Sequence, residues 1–229
     1  MKNKFLPSLI LSLLFGCSAN ISNPQNELIA SHSGGQSMGD ATSLYWYTER
    51  LGIPLHAEDY VVAGDYGWYQ SNYRWEEGSV RELIREGEQL KEAKGLVPYK
   101  IHVRFNQQGE AVYQQYRLDD KVLPLKSDFL EQLKNEAISV VEKTKAQNAQ
   151  GTQLIQGYWD GREFETCDGE EFANLEFNQS LPSFVVERLA SIDSYVAFVG
   201  SESSDRLVVD DLLMLSDDGQ PCIDPPDMK

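Results

Sequence analysis

Gly35-Gln36-Ser37-Met38-Gly39 matches the nucleophile pattern G-x-S-x-G in this 229-residue chain. That chemistry needs the serine on a strained turn between a buried strand and a helix, with its hydroxyl raised above a sheet. No apolar run precedes the motif and no amphipathic run follows it, so Ser37 reads as part of a polar segment rather than as an elbow. The histidines, His32, His56 and His102, are scattered without a metal-binding spacing. His102 shares its strand parity with Lys100 and Arg104, which puts it on the solvent face. The acidic pairs Asp119-Asp120, Glu170-Glu171 and Asp210-Asp211 point to opposite faces if they lie on strands, so they read as solvation. Asp217-Asp218-Gly219 with Asp224 and Asp227 lacks the alternating acids and closing Glu of an oxygen cage. Asn178-Gln179-Ser180 fits the glycosylation triplet. These residue types predict no catalytic group, no metal and no cofactor.

The cysteines are more informative. Lys2 and Lys4 precede an apolar run, Phe5 to Phe15, that is too short to span a bilayer and fits a secretory signal. It ends in Leu14-Phe15-Gly16-Cys17, which looks like a bacterial lipobox with a bulky residue at Phe15. On this reading residues 1–16 are a lipoprotein signal peptide, and Cys17 is the lipidated first residue of the mature chain, held by its acyl chains. Ser18, where Asp would mark inner-membrane retention, resembles the outer-membrane pattern. The expected location is therefore the outer membrane, facing the periplasm, with the membrane reached through the lipid. Cys167 and Cys222 then remain. Two leftover cysteines in an oxidising compartment, without a C-x-x-C spacing, predict one structural disulfide.

Charge narrows the partners. The chain carries 20 Lys+Arg against 36 Asp+Glu, a net −16. Removing the signal takes Lys2 and Lys4 with it, leaving 18 against 36, or −18. Nucleic acid is excluded, because counterion release needs a basic face, and so is electrostatic docking on anionic lipid. A composition of 41% hydrophobic and 10% aromatic residues describes a folded body.

Four stretches position these residues. After the signal, residues 17–43 are rich in Ser, Asn, Gln and Gly without a period, and predict a flexible tether. Residues 44–150 predict an antiparallel meander plus a helix. Their aromatics, Tyr45 to Trp75, are weighed first as sheet core and second as a platform for sugar or peptide. Tyr66–Glu76 and Ser79–Glu86 suggest a hairpin across Glu77-Gly78, though Ser79 and Glu82 also form a helical capping box. A second hairpin pairs Tyr99–Phe105 with Ala111–Leu118. A helix starts at Asp128, capped with Glu131, carries Leu130, Leu133, Ala137, Val140 and Val141 on one stripe, and fades over Lys143–Gln150. Residues 151–229 predict a small β-barrel module with an acidic tail. Its strands flank an Asp160-Gly161 type I′ turn, a third covers Phe172–Phe177, and a helix after Pro182 turns Val185, Val186 and Leu189 inward. Strands at Tyr195–Val199 and Arg206–Leu215 complete an OB-type order. The fold class is α+β.

Cys17 in its lipobox, Tyr73-Arg74-Trp75-Glu76-Glu77-Gly78 with Val80-Arg81-Glu82, the hairpin around Gly109, Leu123-Pro124-Leu125, and Gly157-Tyr158-Trp159-Asp160-Gly161 before Cys167 together resemble an uncharacterised gammaproteobacterial envelope lipoprotein family. That domain-of-unknown-function family includes the enterobacterial protein YjaH. The resemblance implies an envelope lipoprotein of this size and carries over no functional residue. Two classes of function follow. One is a non-catalytic anchored module for a protein or small-molecule ligand in the periplasm, or for envelope maintenance. The other is a lipid-anchored hydrolase of a cell-wall or envelope substrate. Nothing in the sequence fixes an oligomeric state.

Overall fold

The computed structural model describes residues 28–228, which form two sheets and two α-helices. Strands dominate an α+β fold. The first sheet is a meander in chain order: β1 (Ile29–Met38), β2 (Ala41–Arg50), β3 (Ile53–Val62), β4 (Gly67–Glu76), β5 (Ser79–Lys91), β6 (Gly95–Phe105), β7 (Ala111–Leu118) and β8 (Lys121–Leu123). Its tight connections carry left-handed residues, among them Leu51-Gly52, Glu77-Gly78 and Asp119-Asp120, whose backbone twist suits antiparallel hairpins. Ser79–Glu86 is strand. Leu83 and Arg85 are buried on one face while Glu82 and Glu86 point to the other, a period of two that overrides the local capping box.

The expected tether is corrected. Ile29–Met38 and Ala41–Ser43 are strand, and the polar, glycine-rich composition has a packing cause. A Cβ on Gly34 would lie 2.1 Å from Gln147 Oε1, and one on Gly35 would lie 2.6 Å from the Ser43 carbonyl oxygen. The glycines let a helix and a second sheet close on β1 rather than loosening the chain. Residues 17–27 of that stretch, with Cys17 among them, and residues 1–16, expected as a signal peptide, lie outside the described residues.

Helix α1 (Ser127–Ala149) covers one face of the meander. Leu133, Ala137, Val140 and Val141 are buried against Tyr45, Tyr47, Tyr73, Trp75, Leu83 and Val103. The helix starts one residue before the expected Asp128 and has no side-chain cap; the Asp128 carboxylate accepts the neighbouring Phe129 N–H instead. It also continues through Lys143–Ala149, where its apolar stripe ends, because polar groups take over the packing. Lys145 pairs with Glu49 at 3.0 Å. The Gln147 side chain accepts from Gly35 N–H at 3.1 Å and donates to Gly35 O at 2.6 Å.

The second sheet comprises β9 (Gln153–Trp159), β10 (Phe164–Thr166), β11 (Glu171–Phe172), β12 (Asn174–Phe177), β13 (Ser194–Ser203) and β14 (Arg206–Asp217), with α2 (Ser183–Ser191) between β12 and β13. Its order is β11-β10-β9-β13-β14-β12. The strands β11 and β12 form opposite edges, yet only Ala173 separates them in the chain. Two peptide steps span at most about 7 Å, so the sheet must curl until its edges meet at that corner, giving a nearly closed, barrel-like wall. Phe164, Phe172, Phe198, Leu207 and Val209 fill it, and Val185 and Leu189 of α2 join them.

Several details differ from expectation. The single strand foreseen over Phe172–Phe177 is two strands on opposite edges. The Asp160-Gly161 turn is longer than a type I′ hairpin, since the Asp160 carboxylate accepts from both Arg162 and Glu163 N–H. Val186 is 51% exposed rather than inward. An OB order has five strands, whereas this sheet has six.

A seam joins the sheets. Leu154, Tyr195, Ala197, Val199 and Leu213 from the outside of the barrel pack on Leu44, with Trp46 and Tyr60 half-buried beside them. Ser37 Oγ donates to Asp211 at 2.8 Å and Thr42 Oγ1 donates to Leu213 O at 3.0 Å. Gly35 sits in this seam, where an added Cβ would lie 2.5 Å from Leu213 Cδ1 and 2.6 Å from the Ser43 carbonyl oxygen, so Gly35→Ala overpacks the junction. The expected loss is about 1–3 kcal/mol, read as a lower urea midpoint.

Candidate functional site

Alternation along the meander sends most charges outward, and among the buried exceptions, Asp59, Arg81 and Arg85, two define an inner polar centre. Asp59 on β3 and Arg85 on β5 take inward positions and are 2% and 4% exposed. Register places Asp59 opposite Ser71, and Ser71 opposite Arg85, so the three form one cross-strand row. Arg85 Nε donates to Ser71 Oγ at 2.8 Å and Nη2 donates to Tyr73 Oη at 2.8 Å. Tyr73 Oη in turn donates to Asp59 Oδ2 at 2.8 Å. The Tyr69 ring lies under the guanidinium, 4.0 Å from its centre.

Glu136 of α1 closes the centre from above. Its Oε2 lies 2.8 Å from Arg85 Nη2, an ionic contact without hydrogen-bond alignment. Burial pushes the Asp59 carboxyl up, against the downward pull of Arg85, Ser71 and Tyr73. Burial also drives the Tyr73 phenol well above its ordinary range. Desolvation opposes the charge on Arg85, but the surrounding phenols and carboxylates hold the guanidinium firmly protonated. Such a centre fixes sheet and helix in place. Its hydroxyls, Ser71 and Tyr73, and its Asp59 carboxylate are all buried away from solvent.

The opposite face of the sheet faces outward and carries a ladder of charge. Glu82 on β5 accepts from Arg104 Nε at 2.7 Å, contacts His102 Nε2 at 2.8 Å and pairs with Arg74 at 3.2 Å. Burial alone would raise Glu82, but these donors hold it at about 2. Farther along the face, Trp68, Pro98, Glu86, Lys100 and Arg117 line a depression of about 420 Å³. Glu88 accepts the Trp68 indole N–H at 3.1 Å and sets its ring.

Between the ladder and the seam the C-terminal segment crosses the molecule. Cys167 and Cys222 form a disulfide with Cα atoms 6.1 Å apart, inside the relaxed range. Beyond it, Gln156 clamps the backbone of Ile223: Oε1 accepts its N–H and Nε2 donates to its carbonyl, both at 3.0 Å. Tyr195 Oη donates to Gln156 Oε1 at 2.6 Å and orients that amide. Asn72 Nδ2 donates to Pro226 O at 3.4 Å, in a groove lined by His56, Glu58, Arg74 and Ile84. Glu58 is pushed up to about 7, chiefly by burial and then by the neighbouring Asp59.

The residues singled out in the sequence do not converge. Ser37 lies in β1, bound to Asp211 through both its hydroxyl and its N–H. His32 pairs with Glu49, His102 with Glu82, and His56 lies beside the tail groove. Of the aromatics, Tyr45, Tyr47, Tyr73 and Trp75 are core, while Trp68 lines the outer depression. Asp119 pairs with Lys91 and Lys94, and Asp210 accepts from Asn178. Among the described residues no group of His, Cys, Asp or Glu is placed to hold a metal ion, and no helix is long and apolar enough to cross a membrane. Asp59 and Arg85 were missed by sequence reasoning. Their inward parity, shared with Ala57 and Leu83, was the available signal. Gln156 and Asn72 had none.

One family model matches this chain, "Protein of unknown function (DUF1481)", over residues 33–227. No curated protein and no solved structure matches.

Two outcomes check the electrostatics. Arg85→Ala leaves the buried Asp59 and the half-buried Glu136 without their cation, and breaking a buried pair in this way costs about 3–5 kcal/mol, read as a loss of unfolding free energy in urea. For Glu58, the folded carboxyl keeps its proton to about pH 7, while the unfolded one releases it near its ordinary value of 4.5. Its contribution is therefore full below pH 4.5 and is lost as pH rises through 7. The melting temperature of Glu58→Gln should fall less than that of the wild type between those limits; parallel curves would refute the assignment.

Proposed function

We propose that this chain, which belongs to the DUF1481 family, is an outer-membrane-anchored periplasmic lipoprotein acting as a non-catalytic binding module. The observation that carries this reading is the Cys167–Cys222 bridge. A structural disulfide belongs to an oxidising compartment, and pairing these two thiols leaves Cys17 as the remaining cysteine, at the Gly16 junction after a basic and apolar leader. Ser18 after it favours the outer membrane. Of the sequence-based alternatives, the hydrolase needs a nucleophile and base in one open cavity, whereas Ser71, Tyr73 and Asp59 of the polar centre are buried beneath the helix.

Binding is assigned to the outward face of the first sheet. The opposite face is sealed by α1, whereas the outward face carries the Trp68 depression and the tail groove. An indole fixed by a carboxylate, with Lys100 and Arg117 at the rim, combines an apolar wall with hydrogen-bonding groups, as ligand sites do.

The anchor is tested directly. Cells fed labelled palmitate should label the wild-type chain and not Cys17→Ser, and the wild type should fractionate with outer membranes while the variant becomes soluble in the periplasm. Equal labelling of the two would end the proposal.

A further inference from the structure

Ile84 points to the outward face of β5 and would be an exposed hydrophobe there, yet it is 8% exposed. What lies over it is the chain's own C-terminus. Pro226 is buried in the groove lined by Ile84 and Asn72. Three residues earlier, Ile223 packs into the seam cluster beside Leu44 and Leu154. Asp224 and Pro225, between them, are exposed. A three-residue repeat of inward side chains is that of an extended polyproline-type segment, and Pro225-Pro226 restrict themselves and Asp224 to that region of conformation. The protein reads the backbone as well: Gln156 brackets Ile223 with a donor and an acceptor, and Asn72 donates to the Pro226 carbonyl. Two side-chain slots at a spacing of three, joined by amide contacts to the main chain, are the parts of a peptide-recognition groove.

We infer that this groove is a binding site for a partner segment of the pattern apolar-x-Pro-Pro, occupied in the resting molecule by the chain's own Ile223–Met228. The occupant is fastened at one end by the Cys167–Cys222 bridge, where Cys167 is exposed and both cysteines border a cavity of about 280 Å³. A partner segment offering the same contacts competes with a tethered copy, whose high effective concentration keeps the groove closed to weak ligands. This partner class extends the binding-module reading and rests on it, yet the two fail separately. Palmitate labelling says nothing about the groove, and a peptide titration on purified protein says nothing about the anchor.

The probe is a fluorescein-labelled peptide covering residues 221–229 with Cys222 replaced by Ser, titrated by anisotropy. The receiving protein ends at Gln220 and carries Cys167→Ser, with circular dichroism and a thermal melt to establish that it folds. Saturable binding is expected, at least tenfold weaker to the full-length chain, and at least tenfold weaker after Asn72→Ala, after Gln156→Ala, or for a peptide carrying P226G. If the truncated chain misfolds, a protease site inserted between the exposed Asp218 and Gly219 serves instead. Cleavage of the folded full chain leaves the tail held by the bridge, and reduction should then admit the labelled peptide. No saturable binding to folded protein in either format would overturn the inference, as would binding indifferent to Asn72 and Gln156 or equally tight binding to the intact chain.

Discussion

A guanidinium sealed between a sheet and a helix cannot be left unmatched, and the burial of Arg85 orders much of what surrounds it. Its donors need Ser71 and Tyr73 at neighbouring positions of β4, which fixes the register of β4 on β5. Tyr73 then needs Asp59, which fixes β3 on β4. Glu136 must reach the same point from α1, which sets the rotation of the helix about its axis. A one-residue slip of any of these strands would turn its polar group to the other face and leave the rest buried without partners. Apolar packing alone, from Leu133 to Val141, would tolerate more than one seating of the helix. The charge centre does not.

The same economy appears at the seam. The barrel wall meets the meander through a modest apolar cluster, and polar groups supply the alignment: Ser37 with Asp211, Thr42 with the Leu213 carbonyl, and Ser33 with the Leu154 carbonyl. The C-terminal segment crosses that junction and is held on both sides, by Gln156 from the barrel and by Asn72 from the meander. It therefore couples the two sheets as well as covering Ile84.

Legibility in the sequence followed the range of the interactions. The hairpins around Glu77-Gly78 and Gly109 and the apolar stripe of α1 are local patterns and could be read. The bridge between Cys167 and Cys222 followed from cysteine count and compartment, without geometry. Strand β1 could not be read, because Gly34 and Gly35 are demanded by Gln147 and Leu213, over a hundred residues away. The jump across Ala173 was hidden for a similar reason: nothing local says that two adjacent strands belong to opposite edges. Arg85 was legible in principle, as a charge in an apolar parity. The groove under the tail was not, since it exists only once three separate segments have come together.

The clamp of Gln147 on Gly35 has a consequence beyond seating the helix. An antiparallel sheet of this length ends in two strands with unpaired backbone groups, which invite another chain to add on. At β1 that invitation is withdrawn by side chains: the Gln147 amide occupies both the N–H and the carbonyl of Gly35, and the Asp211 carboxylate takes the N–H of Ser37. At the other end, β8 is three residues long, begins with Lys121 and is followed by Pro124. In the barrel, β11 and β12 meet at a corner instead of standing open. The open edges of a strand-rich fold are thus blunted against templated aggregation by a glutamine, an aspartate and a short last strand of the meander.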